Sequence, residues 1–325
     1  MRLLGKTPIE VSRVGLGCVT FGREIDEQTS FRIMDYALEK GITLFDTAEA
    51  YGGGEAQDYR RRVLGVDDVR EVSAESHSSE KIIGRWLKSR RCRDRIILQT
   101  KVTKNFVRSH MGEAVDASLE RLQTDSIDIY LFHYFDPQTP LEESLAAMTL
   151  AIKGGKIRVA GCSNFTAMQL QQALEASERS GLARLEVIQP LYNLLERGIE
   201  SDLLSLCRQE HVAAVTYSPL AAGFLSGKYT PDRSALPEGS RFYVIPGHAD
   251  IYFSDKNFRI LERLRKMAET FGVPMVRLAM GWVFCNADVT SVLVGARTTA
   301  QIDNALMAME MDFPETWLAE INSWN

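Results

Sequence analysis

Leu44-Phe45-Asp46-Thr47-Ala48-Glu49-Ala50-Tyr51-Gly52 reads as an apolar strand that delivers a carboxylate, and then a phenol, to one opening. Two later segments repeat the layout. Ile96-Ile97-Leu98-Gln99-Thr100-Lys101 closes an apolar run with a lysine, and Ile127-Asp128-Ile129-Tyr130-Leu131-Phe132-His133 closes one with a histidine. A tyrosine can donate a proton if a cation sits beside it, so Asp46, Tyr51, Lys101 and His133 form a candidate catalytic set.

The alternation that frames these segments predicts the fold. Short β-rich runs cover Val14 to Gly17, Ile42 to Asp46, Ile96 to Lys101, Ile127 to His133, Val159 to Ser163, Val187 to Leu191, Ala213 to Ser218 and Thr290 to Gly295. Amphipathic helical patterns fall between them, over Phe31 to Lys40, Glu80 to Ser89, Gly112 to Leu122, Leu141 to Lys153, Met168 to Ser177, Ser201 to Glu210 and Phe258 to Thr270. Eight strands that are nearly continuously apolar, each handing over to a helix, predict an α/β fold: a (β/α)8 TIM barrel occupying 1–325 as one domain. Arg2 to Val11, with Gly5-Lys6 at its centre, reads as an N-terminal β-hairpin capping the barrel floor. Two segments interrupt the pattern and should overhang the barrel mouth. One is the insertion Gly52 to Ser76, dense in charge at Arg60-Arg61-Arg62 and Asp67-Asp68; the other is Tyr229 to Tyr252, with Pro231, Pro237, Pro246 and several aromatics.

Composition narrows the function classes. Over 325 residues, 45% are hydrophobic and the net charge is -5, which supplies a core and no basic footprint for nucleic acid. The five cysteines, Cys18, Cys92, Cys162, Cys207 and Cys285, contain no C-x-x-C pair, so neither a disulfide framework nor a zinc site is expected. His77, His110, His211 and His248 share no metal-ligand spacing. No apolar run approaches the roughly 20 residues that span a bilayer, and a cytoplasmic protein without membrane contact is the expectation.

In barrel enzymes the chemistry gathers at the C-terminal ends of the strands. Asp46, Lys101, His133, Ser163 with Asn164, Gln189 and Tyr217 fall at successive strand ends, where purely structural needs would accept Ser, Gly or Pro equally well. Gly15-x-Gly17 followed by Gly22 departs from the Rossmann spacing, so no doubly wound dinucleotide domain is indicated.

In order along the chain stand Phe45-Asp46-Thr47-Ala48 with Tyr51-Gly52, Thr100-Lys101-Val102, His133 with Asp136-Pro137, Gly155-Lys156-Ile157-Arg158, Gly161-Cys162-Ser163-Asn164-Phe165, Gln189-Pro190-Leu191-Tyr192-Asn193, Tyr217-Ser218-Pro219-Leu220, Gly227-Lys228-Tyr229 and Gly295-Ala296-Arg297. This ordered series resembles the aldo-keto reductase superfamily, in the style of the bacterial branch related to potassium-channel β subunits and general-stress reductases. The resemblance implies a nicotinamide-dependent oxidoreductase that interconverts a small-molecule aldehyde or ketone and its alcohol. Tyr51 would be the acid, Lys101 would favour its phenolate, Asp46 would orient Lys101, and His133 would position the carbonyl and share in proton delivery. It further implies that Ser163, Asn164 and Gln189 hold the nicotinamide carboxamide and that Tyr217 stacks on the ring. Ser218, Leu220, Gly227 and Lys228 would wrap the pyrophosphate, with Gly295 beside them. Arg241, Arg297 and Gln301 would grip the adenosine 2′-phosphate and adenine, and guanidinium forks favour NADPH over NADH. Asn304 and Ala305 stand where the family carries an acidic residue and then an asparagine.

Other readings compete. A barrel lyase or isomerase using Lys101 as a Schiff base is disfavoured, because a lysine buried and ion-paired with Asp46 is a poor nucleophile. A nucleotide-binding regulatory subunit with little turnover, and a sugar dehydrogenase working oxidatively, share the same site residues. Trp86, Phe242, Tyr243, Tyr252 and Phe253 read chiefly as packing, with one or two lining the substrate mouth. The sequence leaves the oligomeric state open.

Overall fold

Every second residue of the barrel strands points inward, and that parity separates two apolar cores. Leu44, Ile129, Leu131, Val159, Val187, Ala213, Val215 and Leu293 meet inside the barrel, while the alternate residues Phe45, Tyr130, Phe132, Cys162 and Ile188 join the larger core under the helices. The computed structural model describes residues 1–53, 72–73, 75–103, 105–245 and 247–324. Most of the 52–76 insertion, including Arg60-Arg61-Arg62 and Asp67-Asp68, lies outside the described residues, as does Pro246.

The barrel strands are β3 (Val14–Gly17), β4 (Leu44–Asp46), β5 (Ile97–Val102), β6 (Ile127–Phe132), β7 (Ile157–Ser163), β8 (Leu185–Gln189), β9 (Ala213–Tyr217) and β10 (Val289–Gly295). They pair in parallel in chain order, and β10 closes on β3 with Val292 opposite Val14 and Gly295 opposite Gly17. The fold is the (β/α)8 barrel that the alternation predicts.

An antiparallel hairpin, β1 (Arg2–Leu3) with β2 (Glu10–Val11), plugs the floor. Leu4, Ile9 and Val11 enter the inner core, and the Arg2 guanidinium donates to the carbonyls of Ala287 and Val289 at the start of β10. Gly5 turns this hairpin at φ +60°, and a Cβ there would stand 2.7 Å from the Glu186 carbonyl oxygen, so only glycine fits.

The outer layer comprises α1 (Glu27–Glu39), α2 (Ser78–Arg90), α3 (Arg108–Leu122), α4 (Leu141–Lys153), α5 (Ala167–Ser180), α6 (Leu203–Glu210), α7 (Arg241–Val244), α8 (Gly247–Tyr252), α9 (Asp255–Phe271), α10 (Met275–Cys285), α11 (Thr299–Glu310) and α12 (Glu315–Asn322). Side-chain caps set several starts. Asp26 accepts from the Thr29 amide ahead of α1, and the Thr166/Gln169 and Thr298/Gln301 pairs form reciprocal capping boxes at α5 and α11.

Two departures from the sequence reading have a direct physical cause. Strand β8 stops at Gln189 rather than Leu191, because Pro190 has no amide hydrogen for the ladder. Between β9 and β10 the chain adds α10, whose run from Leu278 to Phe284 is buried on every side and therefore carries no amphipathic stripe.

The long excursion after β9 is anchored by aromatics. Phe224 packs among Tyr229, Phe242, Tyr252, Phe253 and Phe258, with Tyr229 and Phe242 stacked at 4.3 Å between centroids. Phe242 and Tyr252 are thus packing residues, as the sequence reading expects. Among the described residues, no helix is long and apolar enough to cross a membrane.

Candidate active site

The parity that fills the barrel with aliphatic side chains ends in a polar layer at its C-terminal mouth. Asp46, Lys101, Ser163 and Gln189 are buried at or next to strand ends, Gln99 is buried within β5, and His133 stands one residue beyond β6. The Lys101 ammonium, 0% exposed, donates to Asp46 Oδ1 at 2.6 Å, to the Thr47 carbonyl at 2.7 Å and to the Tyr51 hydroxyl at 3.4 Å. Its three protons match three acceptors. Asp46 Oδ1 also accepts from Gln99 Nε2 at 2.7 Å and from Gln189 Nε2 at 3.0 Å. A buried ion pair survives desolvation only when both charges are otherwise hydrogen-bonded, and here both are.

Because Lys101 donates to the Tyr51 oxygen, the phenolic proton is directed elsewhere. The Tyr51 and His133 rings meet edge to face with centroids 5.9 Å apart, and Tyr134, 52% exposed, stacks on His133 at 4.7 Å. Thr103 Oγ1 lies 3.3 Å from His133 Nδ1. A hydroxyl donating there leaves the proton of a neutral ring on Nε2. Glu49 holds this wall in place, since its carboxylate accepts from the Thr103 amide at 2.6 Å and its carbonyl pairs with His77 Nδ1.

Burial dominates the electrostatics of the mouth. Desolvation pushes the Tyr51 phenol well above its ordinary value and the nearby Asp46 charge adds to this, while Arg23 opposes it. Tyr51 therefore rests as a neutral phenol, with the Lys101 ammonium placed at its oxygen. Desolvation also draws Lys101 downward, against the pull of Asp46. His133 falls to about 3, first through burial and then through the Lys101 charge, so the ring is neutral at physiological pH. A neutral imidazole can offer a hydrogen bond to an oxygen placed beside it.

The His133 shift has a measurable consequence for stability. Its pKa is lower in the folded protein than in the unfolded chain, so between about pH 6.5 and 3 the unfolded state binds the extra proton and stability falls with pH. Between pH 7 and pH 4.5 this group alone should withdraw about 2–3 kcal/mol, at about 1.4 kcal/mol per pH unit. Urea unfolding of wild type and His133→Asn at both pH values should show the variant losing correspondingly less. Parallel losses would mean that the ring is not buried neutral.

The expected nicotinamide residues form one network. Asn164, held at φ +59°, donates through Nδ2 to the His133 carbonyl and to Ser163 Oγ, and its Oδ1 accepts from the Tyr217 hydroxyl at 2.8 Å. Ser163 in turn donates to the Gln189 carbonyl at 2.8 Å. Four strand ends are tied together before any ligand arrives.

Beyond β9, Ser218, Ala221, Ala222 and Gly223 all have positive φ, at 56°, 50°, 55° and 93°. Left-handed backbone at non-glycine residues is costly, and here it curls the turn into a concavity in which the Ala221 and Gly223 amides donate to the Ser218 and Leu220 carbonyls at 3.0 and 2.9 Å. A Cβ added to Gly223 would lie 3.3 Å from Lys228 Nζ, so the only ammonium of this turn stands at the same concavity. Leu220 packs against the core and Gly227 turns the chain at φ +81°. Gly17 and Gly295, opposite one another at the mouth of β3 and β10, leave that sector without side chains. The fit to a pyrophosphate rests on the Lys228 charge and on the space that the glycines leave.

At the far rim, Glu24 pairs with Arg241 at 2.8 Å and approaches Arg297 at 3.8 Å. The Gln301 side-chain oxygen accepts from the amides of Arg297 and Thr298, so it caps α11. Asn304 accepts from Arg277 and Ala305 is buried in the core, which gives both departures from the family pattern structural duties.

Comparison with known proteins shows the family. The sequence profile described as the Aldo/keto reductase family matches residues 13–325. The chain belongs to that family. A protein of Bacillus subtilis (strain 168) named "Uncharacterized oxidoreductase YrpG" is 31% identical, covering 98% of this chain and 94% of that protein. "Aldo-keto reductase YhdN" of the same strain is 32% identical over 92% of this chain and 86% of that protein. "Probable voltage-gated potassium channel subunit beta" of Arabidopsis thaliana is 31% identical over 95% and 90%. Membership of the aldo/keto reductases, with these oxidoreductase relatives, assigns an oxidoreductase function and the nicotinamide cofactor that the family generally uses.

Four contributors were absent from the sequence reading: Gln99, Thr103, Tyr134 and Glu24. Gln99 was within reach, since it shares the inward parity of Lys101 on β5. The others act across loops and leave no local signal.

Proposed function

We propose that this aldo/keto reductase is an NADPH-dependent reductase of aldehydes or ketones, reversible toward alcohol oxidation. The observation that carries the reading is the neutral Tyr51 phenol receiving a hydrogen bond from a fully buried, Asp46-paired Lys101 beside a neutral His133.

In this reading the bound dihydronicotinamide supplies the hydride. Tyr51 donates its free hydroxyl proton to the carbonyl oxygen, and His133 donates a second hydrogen bond that fixes the oxygen's position. As the proton leaves, negative charge grows on the Tyr51 oxygen, where the Lys101 ammonium already points. Stabilisation that appears only as charge develops lowers the barrier rather than deepening the ground state. Asp46, with Gln99 and Gln189, keeps the ammonium charged and aimed. Ser163, Asn164, Gln189 and Tyr217 would hold and stack the nicotinamide, the 218–228 turn would take the pyrophosphate, and Arg241 and Arg297 would meet the adenosine phosphate. The Schiff-base alternative is disfavoured because every proton of Lys101 is engaged.

The plant relatives named as probable potassium channel β subunits support a second reading, a nucleotide-binding regulatory subunit. One assay separates the two. A panel of aldehydes, ketones and alcohols, followed by nicotinamide absorbance with both coenzymes, should reveal saturable turnover preferring NADPH. Tight nucleotide binding without turnover on any member would favour the regulatory reading.

A further inference from the structure

Glu24 lies in the loop between β3 and α1, and its side chain is only 4% exposed although it carries a carboxylate. Its two oxygens face two different elements. Oε1 pairs with Arg241 Nη1, at the start of α7, at 2.8 Å; Oε2 faces Arg297 Nη1, just after β10, at 3.8 Å. Arg297 Nη1 also donates to the Gly239 carbonyl at 3.2 Å, which fixes the guanidinium at the rim. A carboxylate bridging two guanidiniums is the chemistry that a phosphate would offer the same pair.

We propose that Glu24 is a built-in counter-anion that sets the coenzyme preference by competing for Arg241 and Arg297 with the adenosine 2′-phosphate. This rests on the reading above, in which those arginines meet that phosphate. Glutamine at position 24 would raise the net charge at the rim by one positive unit. A phosphate monoester carries roughly −1.5 to −2 charge at pH 7, so the extra positive charge favours the 2′-phosphorylated nucleotide and is nearly indifferent to its unphosphorylated counterpart. With Glu24 in place, the preference for NADPH is present but held down.

The experiment is calorimetric titration of the full-length protein with 2′,5′-ADP and with 5′-AMP, which differ only in the 2′-phosphate. Wild type should prefer 2′,5′-ADP by less than about tenfold, and Glu24→Gln should raise that ratio by about another tenfold through tighter 2′,5′-ADP binding alone. An unchanged or lower ratio in Glu24→Gln, or equal tightening of both nucleotides, would overturn the proposal. Should that variant fail to fold by circular dichroism, the wild-type ratio decides: below about tenfold supports a competing anion, and anything higher refutes it. Arg297→Ala separates the proposal from the reading beneath it. If it removes the 2′-phosphate preference while Glu24→Gln changes nothing, only the role of Glu24 is lost. If it alters neither affinity, the phosphate reading fails and takes the proposal with it.

Discussion

Tyr51→Phe should lower carbonyl turnover by roughly a thousandfold while leaving nucleotide affinity within about twofold. The substitution removes one oxygen and keeps the ring. That ring packs edge-on against His133 and lies 4.9 Å from the Lys101 ammonium, so the surrounding geometry should hold. What disappears is the proton donor and the atom on which Lys101 stabilises developing charge. Single-turnover absorbance with a reactive aldehyde, paired with nucleotide titration, measures both quantities. The split matters more than either number, because a variant that loses turnover and binding together would point to a collapsed pocket. Turnover close to wild type would eliminate Tyr51 as the acid.

Strand-end chemistry was legible because β-structure has a period of two. Asp46, Lys101 and His133 each closed an apolar run, whereas Gln99, which shares the inward parity of Lys101, was passed over. The hairpin plug was legible for a similar reason, since its buried Leu4, Ile9 and Val11 flank a Gly5-Lys6 turn. Helix α10 was not, because a helix buried on all sides has no periodic stripe to detect. Protonation states were also beyond local reading. Whether Lys101 lowers the phenol or burial raises it depends on how much water the fold removes, and that is a property of the assembled mouth. Glu24 illustrates the same limit. A lone carboxylate in a loop acquires meaning only when β10 and α7 bring two arginines to it.

Lys101→Met is expected to be the most damaging single change, for a reason separable from catalysis. Methionine fills the volume but leaves Asp46 buried with, among the described residues, the Gln99 and Gln189 amides as its side-chain partners. Breaking one side of a buried ion pair typically costs about 3–5 kcal/mol, which urea unfolding should register directly. Turnover should fall below detection, since the Tyr51 oxygen loses the ammonium that stabilises it as its proton departs. The double variant Asp46→Asn/Lys101→Met resolves the two effects. Neutralising the stranded carboxylate should recover part of the lost stability, because the buried charge is gone, and residues in direct contact are non-additive in this way. It should recover no turnover, because no cation faces Tyr51. Recovery of turnover together with stability would mean that Lys101 serves the fold alone, and the charge-stabilised phenol would have to be abandoned.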